Sequence, residues 1–245
     1  GDLSPVSIIS SAPSNAITIS GTSTYTSATM AYGIMLGYNA NAGVANMNNT
    51  SVAIQSLGGG GMTLSATATS GTNGIGLNGV SLLANAGTIT LNGGASGLGF
   101  QNYTGASNIR PVTIGSCATC DATAISTLGL YTGTSTATIN LTGDKANFAT
   151  GANTNRRIDT TGTVNIQAFG ASGFTSNFDW TGLNYANVAS ITEGTATTGG
   201  SLTFNTTTSY AGPVTVLGTG TITVAAAALL NIRDDVNFTT SSMTM

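Results

Sequence analysis

The chain has 245 residues, of which 5% are charged, against about a quarter in an ordinary soluble domain. Five basic residues cannot build a phosphate-tracking stripe or a basic footing on anionic lipid, so neither a nucleic-acid nor a membrane-surface partner is expected. A hydrophobic content of 40% also sets the chain apart from highly charged, solvating disorder.

In chain order, the predicted elements are short runs in which an apolar residue alternates with Thr, Ser or Asn, the period of a half-buried strand. They fall at 16–20, 51–55, 88–92, 136–141, 163–167, 201–205, 213–216, 221–224 and 236–239. Gly- and Asn-rich clusters such as 58–61, 73–74, 92–94, 142–144 and 199–200 separate them and mark bends. Almost nothing reads as helix; the strongest helical stretch is 225–231. The apolar run Val224-Ala225-Ala226-Ala227-Ala228-Leu229-Leu230 is far shorter than the roughly 18 residues of a membrane span. Gly1-Asp2-Leu3-Ser4-Pro5 lacks the basic and apolar parts of an export signal, which is therefore expected to be removed or to lie outside the chain.

Spacing gives the architecture. Strand centres near Ile89, Thr113, Ile139 and Val164 recur at intervals of about 25 residues, a beat that signals stacked repeats. The expected fold is all-β: a right-handed parallel β-helix, or β-solenoid, with about 20–25 residues per coil, running as one unit over 1–245. After Val164 the beat stretches toward Leu202. A longer coil or inserted loop is expected at 169–188, where Phe174, Phe178, Trp180 and Tyr185 gather. These four aromatics are the candidate ligand contacts, although a plug filling an enlarged coil is the favoured reading. A second architecture, surface-layer-type β-sandwich domains, shares the low charge and the high Thr content.

Little in the sequence carries chemistry. Cys117 and Cys120 stand as C-x-x-C, but no His or third Cys completes a zinc set, so a local disulfide is expected. Among the charges, Arg156, Arg157 and Asp159, or Asp144 with Lys145, are the candidates for a polysaccharide-cleaving cluster; solvated loop charges are the plainer reading. Asp234-Asp235 would point to opposite faces of a strand. No Gly-Gly-x-Gly-x-Asp repeat supports calcium, and neither a metal nor another cofactor is expected. Asn-x-Ser/Thr triplets at Asn48, Asn49, Asn102, Asn140, Asn205 and Asn237 are expected to be mostly accidental. Thr-x-Thr units such as Thr88/Thr90 suggest an ice-binding face, but the irregular spacing argues against columns in register.

The cadence of Gly162-Thr163-Val164-Asn165-Ile166-Gln167, continued through Tyr185-Ala186-Asn187-Val188-Ala189-Ser190-Ile191-Thr192 and Gly220-Thr221-Ile222-Thr223-Val224, resembles the repeat region of filamentous haemagglutinin-type exoproteins, the β-strand-repeat adhesins of two-partner secretion. The resemblance spans about residues 50–240; the secretion domain of that family is not recognisable here. It implies a parallel β-helix at the bacterial cell surface, serving attachment, aggregation or matrix building rather than catalysis. Self-association, head-to-tail or lateral, and a surface glycan or protein ligand are the partners expected of such a secreted, extracellular element.

Overall fold

The computed structural model describes residues 6–14, 16–25, 32–37, 52–69, 74–100, 111–120, 122–144, 146–148, 156–170, 183–194, 202–204, 208–210, 214–217, 221–224, 230–232, 236–239 and 242–244. Its first coil runs through β1 (Val6–Ser10), β2 (Ile17–Ser23) and β3 (Ile34–Gly37). The second repeats the path with β4 (Val52–Ser56), β5 (Met62–Ala68) and β6 (Ile75–Asn78), and the third with β7 (Val80–Ala84), β8 (Thr88–Asn92) and β9 (Leu98–Phe100). The fourth holds β10 (Val112–Gly115), the short helix α1 (Ala122–Leu128), β11 (Thr138–Thr142) and β12 (Ala146–Phe148). Then come β13 (Arg156–Asp159) with β14 (Thr163–Gln167), and β15 (Asn184–Ala186) with β16 (Ser190–Glu193). The last part carries β17 (Leu202–Phe204), β18 (Thr208–Tyr210), β19 (Val214–Leu217), β20 (Thr221–Val224), β21 (Leu230–Ile232), β22 (Val236–Thr239) and β23 (Ser242–Thr244).

Each strand pairs with its counterpart one coil away. Sheet A stacks β1-β4-β7-β10-β13-β15, sheet B stacks β2-β5-β8-β11-β14-β16-β19-β22, and sheet C stacks β3-β6-β9-β12. Smaller sheets β17-β20-β23 and β18-β21 close the later coils. Every described strand pair is parallel. The chain is a right-handed parallel β-helix, and β-sandwich domains are not what the described residues form. Stacking of this kind gives each strand's backbone N–H and C=O groups partners in the coils above and below.

Period-2 alternation sorts the side chains. Sheet B turns Ile17, Met62, Ile89, Ile139, Val164, Ile191 and Val214 into one inward column. Ile19, Leu64, Leu91, Leu141 and Ile166 form a second. With Ile54, Leu82, Ile114 and Ile158 of sheet A, and Leu77, Leu98 and Phe100 of sheet C, they make one continuous core. Burying each aliphatic side chain contributes about 1.5–3 kcal/mol over leaving it exposed.

The beat in the sequence is partly a coincidence. Ile89 pairs directly with Ile139, whereas Thr113, which lies between them in the chain, belongs to sheet A. Val164 then pairs with Ile191 rather than Leu202, and most of 169–188, where a longer coil or inserted loop is expected, lies outside the described residues. The shortest unexpanded step carries Leu202 to Ile222, and a longer one carries Val52 to Val80. A helix lies at α1, where the sequence predicts none. Of the weakly helical stretch 225–231, residues 225–229 lie outside the described residues and Leu230 begins a strand.

Candidate functional site

Three surfaces of the stack are candidates for function: the outer face of sheet A, the outer face of sheet B, and the open edge of the first coil. Residues 116–137, inserted between β10 and β11, fold back over sheet A. Cys117 and Cys120 are joined in a disulfide, with their Cα atoms 5.0 Å apart. Ala124, Leu128 and Leu130 pack with Cys117 on Ala53 and Leu83, two outward residues of sheet A that are fully buried as a result. Gln55 clamps the insertion with both ends of its amide. Its Nε2 donates to Gly129 O at 3.0 Å, and its Oε1 accepts from Tyr131 N at 2.8 Å. Ser7 Oγ donates to Leu128 O at 3.3 Å, and Ser81 Oγ lies 3.6 Å from Cys117 Sγ. Thr113 Oγ1 is 3.7 Å from Cys120 Sγ. One insertion thus ties together four strands, β1, β4, β7 and β10.

Of the charges considered for polysaccharide chemistry, Arg156 faces away from Arg157 and Asp159. Arg156 occupies the inward column of Val112 and is 2% exposed, and burial pushes its guanidinium below the ordinary range. Arg157 and Asp159 point outward. Arg157 Nη2 and Nε donate to Asp159 Oδ2 at 2.8 and 3.1 Å, while Asn187 Nδ2 donates to Oδ1 at 2.8 Å. Both oxygens of Asp159 are therefore held by neighbours, which suits a structural tie better than a proton-transfer group. Asp144 caps the following coil: its Oδ1 accepts from the backbone N–H groups of Phe169 and Gly170, each at 2.8 Å. Lys145, Asp234 and Asp235 lie outside the described residues.

The aromatic candidates divide in the same way. Tyr185 is buried in the column of Ile158 and belongs to the core, so it offers no surface contact. Phe174, Phe178 and Trp180 lie outside the described residues. Glu193, which the sequence reading passed over, is fully buried in the inward column of Ile166. The Ser-Ile-Thr-Glu run signals it, because Glu193 falls two residues after the apolar Ile191. Among the described residues no three of Cys, Asp and Glu meet as metal ligands, and no helix is long and apolar enough to cross a membrane.

Sheet B keeps its outer face uncovered and regular. One outward column runs Thr18, Thr63, Thr90, Asn140, Asn165, Thr192 and Thr215 in unbroken register. A flanking column begins Ser20, Ser65, Asn92, Thr142 and Gln167. The expectation that irregular spacing would scatter these hydroxyls is overturned: insertions sit at the corners and leave the columns aligned. Neighbouring amides couple across coils, Asn165 Nδ2 donating to Asn140 Oδ1 at 2.9 Å. Asn140, a nominal glycosylation acceptor, is engaged in that ladder.

At the N-terminal end, β1, β2 and β3 are the edge strands of their sheets. Val6, Ile8 and Ile9 are 50%, 43% and 56% exposed. Val6 and Ile8 continue the inward columns of Val52 and Ile54, so the core itself comes to the surface there. No protein-family model, no curated protein and no solved structure matches the chain.

Proposed function

We propose that this chain is a non-catalytic segment of an extracellular shaft at a bacterial cell surface, working in attachment, aggregation or matrix building. The filamentous haemagglutinin-type exoproteins that its cadence resembles are the model for this role. The observation that carries the reading is the unbroken parallel register of eight strands in sheet B. Seven steps of about 4.8 Å make a stack roughly 34 Å tall. Continuous hydrogen bonding along the axis resists local opening, as an element that projects from a surface or bears tension requires.

The first described coil supports continuation of the stack. Its edges offer backbone groups to a further parallel strand, and its exposed Val6 and Ile8 need an apolar cover. Another coil of the same pattern, from this chain or from a second copy, supplies both, and in the second case such head-to-tail contacts extend without closing. Small-angle scattering from the purified chain should give an elongated particle, and beads coated with it should adhere to matrix protein or glycan surfaces. A compact particle, or cleavage of acidic polysaccharide by the chain, would end this reading.

A further inference from the structure

We propose that the outer face of sheet B docks against the same face of a second copy of this chain. The idea rests on the shaft reading and names the lateral partner of that shaft. Sheet A is covered by the chain's own insertion over its upper strands, whereas no described segment covers sheet B. The outward positions of the two columns, from Thr18 to Thr215, include no charged residue, so nothing in them repels an identical surface. Hydroxyl and amide groups each donate and accept hydrogen bonds, which makes such a face complementary to itself without any matching of charge sign. Both copies also carry the same step of about 4.8 Å, so contacts made at one strand recur at the next.

The available area decides what kind of partner fits. Seven steps of about 4.8 Å by a shared width of about four residues at roughly 3.3 Å give a face of about 450 Å². The pair would bury about 900 Å², just below the roughly 1,000 Å² that a stable specific interface needs. A weak, reversible dimer is the match, and such a contact gains strength only when many lie side by side. A sugar-stacking role is disfavoured because the described outward positions offer no aromatic anchor.

Sedimentation velocity over a concentration series tests the proposal. The chain should form a reversible dimer whose affinity is the same at low and high salt, because no charges meet in it. Thr90→Lys combined with Asn140→Lys places like charges across the centre and should weaken the dimer at least about tenfold. Thr132→Lys, at an exposed position on the insertion, should leave it unchanged. Ile8→Lys should also leave it unchanged, although it blocks end-to-end growth. If the central pair lowers the melting temperature, Thr18→Lys with Gln167→Lys, at exposed positions of the same face, replaces it. A chain that stays monomeric throughout, or a dimer that survives both lysine pairs, overturns the proposal. Arrest of ice growth by the monomer, lost in the lysine variants, would reassign the face to ordered water. Single unpaired rods would sink the lateral contact and leave the shaft standing, whereas a compact parent particle would remove the shaft itself.

Discussion

Gly115 ends β10 at a φ of 102°, and a Cβ there would run into the carbonyl of Asp159 in the next coil. Gly115→Ala should therefore cost about 1–3 kcal/mol in backbone strain, before any shift of β13 is counted. A denaturant melt checks this, and an unchanged midpoint would contradict it. Gln55 carries a different load. Gln55→Leu keeps the bulk but removes the partner of Gly129 O and Tyr131 N, at about 0.5–1.5 kcal/mol each because water can reach both groups. The expected readout is a lower melting temperature together with faster protease cleavage within 116–137. Ser56 argues the other way, because its buried hydroxyl has no hydrogen-bond partner and Ala84 occupies the same column one coil on. Ser56→Ala should hold stability constant or raise it by roughly 1 kcal/mol.

At the scale of elements, the insertion and the corners govern behaviour. The disulfide closes a loop of very few residues, so chain entropy assigns it only about 2 kcal/mol. Cys117→Ser with Cys120→Ser should loosen 116–137 in hydrogen exchange while sheet B keeps its protection; loss of protection throughout would contradict that local role. Strands with one wet face were legible in the sequence. Thr88–Asn92 and Thr163–Gln167 were located to the residue, because aliphatic and hydroxyl or amide side chains alternate along them. Sheet A was harder to read. Val80–Ala84 is buried on both faces, since the insertion covers Leu83, and so it shows no alternation. Arg156–Asp159 reads as a charged loop until the register places Arg156 inside and Asp159 in a buried tie on the outer side of the sheet. The insertion was illegible because its partners Ser7, Ala53 and Gln55 lie far upstream in the chain, beyond any local pattern.

For the whole molecule, stability is a sum of coil-to-coil contacts rather than the property of one centre. Few charges enter that sum, since 5% of the residues are charged, and the Arg157–Asp159 pair at 2.8 Å is partly exposed on its arginine side. The melting temperature should therefore change little with ionic strength, and a pronounced salt dependence would point to charges that matter. The two candidate contacts, end and side, were not equally visible in the sequence. Apolar residues at the first coil are ordinary until the stack shows them uncovered, and the hydroxyl columns need the register to line up.

The way length is absorbed has one more consequence. Between β7 and β8 the turn takes only Asn85 to Gly87, yet the equivalent turn between β10 and β11 takes all of 116–137 without disturbing Ile89 against Ile139. The vertices of the prism are therefore sockets into which foreign peptide can be spliced while the shaft keeps its pitch. Exchanging 116–137 for the short Asn85-Ala86-Gly87 turn should preserve the fold and bare Ala53 and Leu83. Splicing a recognition peptide into the same vertex would display it at a fixed height along the rod.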